Sequence, residues 1–169
     1  VFEAYTKDDT DFSAILGKVA EADVDAIFLP DYYNKVNLIA AQIQEKGIDA
    51  VLLGADGWDS PELETDLVEG GYHSNHYSPD DPRPVVQNFV SAYTEEYGAK
   101  PDALATLGYD ATKILLQAVK EADSHDPTEV RDAMAAIEIE GASGDISFNE
   151  YGDPQKKAAI IKIENGKQV

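Results

Sequence analysis

The sequence predicts an α/β fold built on a parallel sheet, and three observations predict it. Short apolar runs that read as strands alternate with segments of helical period over residues 1–54. The connections between them are short, and a strand, helix, strand, helix, strand rhythm requires parallel strands joined by right-handed crossovers. A chain of 169 residues with 43% hydrophobic side chains is large and apolar enough for a domain-sized core.

Taken in order, residues 1–5 alternate apolar and polar side chains as a strand would, and the acidic stretch 6–10 follows as a loop. Asp11 is placed to cap a helix in which Phe12, Ile15, Leu16 and Val19 form a one-sided stripe. Residues 26–29 are the next strand. Residues 30–34 then turn into a second helix, which carries Val36, Ile39, Ala40 and Ile43 and stops at Gly47. A third strand over 50–53 ends at Gly54, and the turn from Gly54 to Gly57 lifts Asp56 and Trp58 out at its carboxyl end. A short helix is predicted over 61–68, a strand over 71–77 and a proline-rich break over 78–84. Three helices follow without intervening strands, over 85–97, 102–122 and 127–137. The last is opened by Asp126-Pro127-Thr128-Glu129, a capping pattern with proline at the first helical position. Residues 145–148 and 158–163 read as two strands joined through the polar loop 149–154.

Because the first three strands point the same way, the Asp8-Asp9, Tyr32-Tyr33 and Asp56-Trp58 loops share the carboxyl edge of the sheet, where open α/β folds bind ligands. A carboxylate beside large aromatic rings suits a ligand that bears an amine. The candidate contacts are therefore Tyr32, Tyr33, Asp56 and Trp58, with Tyr109 as a further aromatic in the long helix. Each aromatic taken alone is more often core packing than ligand contact, and Asp56 is equally consistent with an Asx-type turn before Gly57. Asp110, beside Tyr109, reads as a surface carboxylate serving solvation.

Other function classes are disfavoured. A formal charge of -20 repels nucleic acid and anionic membranes, so no nucleic-acid partner is expected. The chain has no cysteine, which removes disulfides, thiolate metal sites and a cysteine nucleophile. No apolar run approaches the roughly 20 residues that cross a bilayer, and no signal peptide opens the chain. Val1 reads instead as the start of a strand already inside a fold, the mark of a fragment. His73 and His76 lie three apart on a strand and point to opposite faces, which argues against chelation and leaves no metal site; His125 reads as solvated. Without an enzyme signature such as GxSxG, HExxH, a P-loop or GxGxxG, neither catalysis nor a cofactor is expected. A phosphoacceptor receiver domain would use the acids at Asp8, Asp9 and Asp31 or Asp56. It lacks a well-placed lysine here, and the three consecutive helices do not suit it.

Several stretches taken together are familiar. Asp11-Phe12-Ser13, Tyr32-Tyr33, the run from Gly54 through Asp56-Gly57-Trp58 to Leu63, Ser78-Pro-Asp-Asp-Pro82, Leu107-Gly-Tyr-Asp-Ala111 and Asn149-Glu-Tyr-Gly-Asp-Pro154 occur in order over nearly the whole chain. In this the sequence resembles the C-terminal half of the branched-chain amino acid binding proteins of ABC transporters. The resemblance implies a two-lobed type I periplasmic binding protein that closes on its ligand. Residues 1–77 and 140–169 would belong to one lobe, and the hinge crossing and helices of 78–139 to the other. It further implies an extracytoplasmic location, an amino acid ligand, a membrane permease partner and a missing N-terminal half that holds the ligand's carboxylate. By the same resemblance Tyr32 contacts the ligand, Asp56 binds its ammonium, Trp58 lines the cleft and Tyr109 reaches in from the opposite lobe. Asp31 stands where the family commonly has glycine, and its charge either favours a cationic ligand or faces water. Helices without their partner half would expose apolar stripes, so self-association, a swapped arrangement or a co-purifying N-terminal piece is expected. A ligand-sensing domain of a receptor or regulator would share this fold and pocket.

Overall fold

Helices α1 (Ser13–Glu21) and α2 (Tyr33–Glu45) turn their apolar stripes toward one face of a sheet whose first strands are β1 (Ala26–Leu29), β2 (Val51–Gly54) and β3 (Tyr72–Asn75). The structure is a computed structural model and describes residues 1–169. Its chain divides into two units, residues 1–74 with 160–169 and residues 75–159.

In the first unit β1 pairs with β2 and β2 with β3, both in parallel. Strands β7 (Ala159–Glu164) and β8 (Lys167–Gln168) complete the sheet in the order β1-β2-β3-β7-β8. Parallel neighbours in register share a face. Ile27 with Leu52, and Leu29 with Gly54 and His73, face the helices, while Phe28, Leu53 and Tyr72 face the other way. The buried cluster joins Phe12 and Leu16 of the first helical stripe to Val36, Ile39, Ala40 and Ile43 of the second, over Leu29, Leu52 and Ile163. Each of the larger side chains among them contributes about 1.5–3 kcal/mol when removed from water.

Three local expectations are corrected here. Residues 1–5 pair with no strand; an apolar groove of about 430 Å³ separates them from β1, with Phe2, Tyr5, Leu16 and Ile27 among its walls. Residues 61–68 form no continuous helix, and the chain makes 3-10 turns over Asp56–Trp58 and Thr65–Val68 instead. The cause is Asn37 of α2: its amide donates to the Glu62 carbonyl at 2.9 Å and accepts from the Glu64 N–H at 3.0 Å, occupying groups a helix would use for itself. Finally, Asp11 caps α1 from one residue further back than expected. Its carboxylate takes the Ser13 N–H at 2.9 Å, and hydrogen bonding from the Ser13 side chain, then from this N–H, holds its pKa below the ordinary value.

The second unit holds α3 (Pro84–Tyr97), α4 (Ala103–Ala122) and α5 (Pro127–Ala135), with an antiparallel sheet of β4 (Ile139–Gly141), β5 (Gly144–Phe148) and β6 (Pro154–Gln155). Asp102 and Asp126 cap the second and third of these helices through the N–H groups of Ala105, and of Thr128 and Glu129. The strands read at 145–148 and 158–163 are not partners: the first joins the small sheet and the second the large one. Residues 140–159 also pack with the helices rather than with residues 1–74. Ile137 and Ile146 close over Ile114 and Ala118, and the buried Asp110 carboxylate accepts the N–H groups of Ala142 at 2.9 Å and Ser143 at 2.7 Å. Asp110 is therefore a structural tie and not the solvated surface group its sequence context indicated. Gly141 has to be glycine beside it, since an added β-carbon would lie 2.6 Å from that carboxylate.

Candidate functional site

The carboxyl edge of β1 and β2 is assembled by three loops that hold one another. From the start of α2, the Lys35 ammonium donates to the carbonyls of Lys7 at 3.0 Å and Asp9 at 2.5 Å, which ties the acidic loop to the helix that follows Tyr32. Gly57 sits directly against the preceding loop: a β-carbon there would stand 2.7 Å from the Asp31 carbonyl oxygen and 3.1 Å from the Tyr32 Cα. Only glycine permits that approach, which places the Asp56 turn beside Tyr32.

Tyr32 begins α2 in extended backbone geometry, and its side chain is 68% exposed. Asp56 opens the 3-10 turn and is likewise exposed. Tyr33 is half-buried and packs against the core of the first unit. Trp58 departs from the expectation that the turn lifts it outward, because its ring is completely buried. Its indole N–H donates to the Leu29 carbonyl at 3.1 Å, and its ring lies over Gly54, where an added β-carbon would come within 2.1 Å of it. The imidazole of His73 stands on its other flank, ring centres 5.9 Å apart. Trp58 thus anchors the loop that carries Asp56 to the ends of β1 and β3.

Asp31 is engaged within the protein. One carboxylate oxygen accepts the Tyr5 phenol at 2.9 Å and the other the Tyr32 N–H at 2.7 Å. Burial, and then the bond to Asp31 and its charge, push the Tyr5 phenol up to about 12, so it remains a donor throughout the neutral range. The charge read at Asp31 is thus spent on bracing the Tyr32 loop. Tyr5 and Lys35 are supports of the candidate site that the sequence signals only through the apolar–polar alternation of residues 1–5 and a lysine three positions beyond Tyr32.

Tyr109 belongs to the second unit. Its ring stacks on Phe89 with centroids 4.4 Å apart, and the Lys113 ammonium lies 5.2 Å from its centre. About a third of the side chain stays open to solvent.

Comparison with known proteins adds independent findings. A family model described as periplasmic binding protein matches residues 2–168. A Leu/Ile/Val-binding protein homolog of Brucella abortus is 32% identical, the alignment covering 98% of this chain and 46% of the relative. Among solved structures, the leucine binding protein LivK of Thermotoga maritima superposes with a TM-score of 0.91 at 36% identity, covering 98% of this chain and 49% of that one. The branched-chain amino acid substrate binding protein LivJ of Streptococcus pneumoniae, solved with isoleucine, gives 0.87 at 29% identity, covering 97% and 48%. The chain thus spans about half the length of the relatives it matches. Matched from end to end by one family model and by the fold of solved members, it belongs to the periplasmic binding protein family, as the resemblance to branched-chain amino acid binding proteins implied.

Proposed function

We propose that this chain forms part of a solute-binding protein of an ABC importer and takes a branched-chain or similar amino acid at the carboxyl edge of β1 and β2. The observation that carries the reading is the seating of Gly57 against Tyr32, which sets an exposed carboxylate and an exposed aromatic ring on adjoining loops. Asp56 pairs with the ligand's ammonium, Tyr32 lines its apolar part, and Tyr33 and Trp58 hold the two loops from below. The relatives' names support the ligand class: one is a Leu/Ile/Val-binding protein homolog, and another was solved with isoleucine. On this reading the protein acts outside the cytoplasmic membrane as a binding protein and not an enzyme, and delivers its ligand to a permease. No helix of the chain is long and apolar enough to cross a membrane.

A thermal-shift screen of amino acids, amides and urea, followed by calorimetry, tests the proposal. The 169-residue chain alone is expected to bind with a dissociation constant in roughly the millimolar range, about -4 kcal/mol, since Asp56 faces water. In a protein of the relatives' full length, where closure buries the ammonium, Asp56→Ala should weaken binding by about 3–5 kcal/mol. Gly57→Ala, which forces the loops apart, should also lower affinity while the fold persists. Less than a tenfold loss for Asp56→Ala overturns the assigned role, and a Tyr109→Ala arm reads the ligand contact that the resemblance implies in the second unit.

A further inference from the structure

The second unit contains a cleft of about 580 Å³ that the amino acid site does not use. Three of the chain's 13 basic residues, Arg83, Lys156 and Lys157, line it, against the carboxylates of Asp81 and Asp145. In a chain of net charge -20 such a concentration of cations is unusual. Arg83 and Asp81 neutralise each other through a 2.9 Å ion pair, which leaves two lysines facing one exposed carboxylate.

Lys156 is half-buried, and its ammonium donates to the His76 carbonyl at 3.2 Å, a neutral acceptor that offsets little of its charge. Burial accordingly pulls its pKa below the ordinary lysine value, opposed only by the more distant charge of Asp110. Ser143 also lines the cleft. It is 3% exposed, its N–H is satisfied by Asp110, and its hydroxyl has no hydrogen-bond partner, whereas buried polar groups in folded proteins are almost always paired. An unmet hydroxyl and an undercompensated ammonium lining one cleft are together complementary to an oxyanion, whose oxygens accept from both.

We propose that this cleft is a second binding site, for a small oxyanion, held by Lys156, Lys157 and the Ser143 hydroxyl. Inorganic phosphate and acetate share the chemistry and separate the two sources, phosphate ester and carboxylate. Each is titrated into the 169-residue chain at constant ionic strength, with chloride as the control, and followed by thermal shift and calorimetry. A saturable rise in melting temperature with phosphate, acetate or both supports the site and names its class. Lys156→Gln should weaken that binding at least about tenfold, and Ser143→Ala several-fold, by removing a charged and a neutral donor respectively. Should Lys156→Gln lose its fold by circular dichroism, Lys157→Gln and Ser143→Ala provide the readout. Equal effects of chloride and both probes, or affinities unchanged in the folded variants, overturn the proposal.

Discussion

His73 illustrates how much a single buried side chain decides. It is 1% exposed near the start of β3, with Nε2 at 3.1 Å from the Gln168 side-chain oxygen and Nδ1 at 3.3 Å from the Ser74 carbonyl, while Trp58 lies against its ring. Burial holds its pKa below the usual value, although the Gln168 and Ser74 contacts and the charges of Asp59 and Asp56 pull the other way. The folded state therefore favours the neutral imidazole, and the unfolded chain, titrating near 6.5, takes up a proton first as pH falls. The stability this group contributes is complete above about pH 6.5 and drains away below it until the folded-state pKa is passed. Chemical denaturation between about pH 5 and 7.5 should show that loss in the parent protein and a flatter profile in His73→Gln. Identical slopes would show that the histidine is not responsible. Because this ring supports Trp58, and Trp58 supports the loop carrying Asp56, its protonation also bears on the site.

Between elements, a few polar ties do the joining. Asp110 links α4 to the turn between β4 and β5 by accepting two buried N–H groups, so Asp110→Ala strands both and should cost about 3 kcal/mol; Asp110→Asn, which keeps one acceptor, should cost less. Urea denaturation of the two variants checks the ordering, and equal losses would mean that packing, not hydrogen bonding, sets the value. Such ties mark where the sequence stopped being legible. The α-helix spans to within a few residues, the Asp126 cap and the carboxyl-edge loops followed from spacing, because period and capping chemistry are local. That Asp110 is buried, that Asn37 holds residues 62–64 out of a helix, and that Trp58 points inward depend on partners 25 to 33 positions away. The geometry of the candidate site was half legible for the same reason. Parallel strands brought the Tyr32 and Asp56 loops to one edge, but the brace from Tyr5 to Asp31 needed the fold.

Over the whole molecule, two opposed terms govern association. One is apolar: Phe28, Val51 and Tyr72 lie exposed on one face of the large sheet, and Leu104 and Leu115, eleven positions apart and so on one stripe of α4, are also open to solvent. The other is repulsion between copies that each carry a charge of -20. Salt acts on the second of these terms and not the first. At about 0.15 M the screening length is roughly 8 Å, and at about 1 M it falls to roughly 3 Å, which removes most of the repulsion and leaves apolar burial intact. The chain should therefore self-associate with rising concentration, and more strongly at high salt, as read by sedimentation velocity. Phe28→Glu combined with Leu115→Glu should restore the monomer by placing charge on both surfaces. Association that weakens as salt is added would identify ion pairs as the cause, and a monomer at every concentration and both salts would mean that these surfaces are too dispersed to hold a second copy.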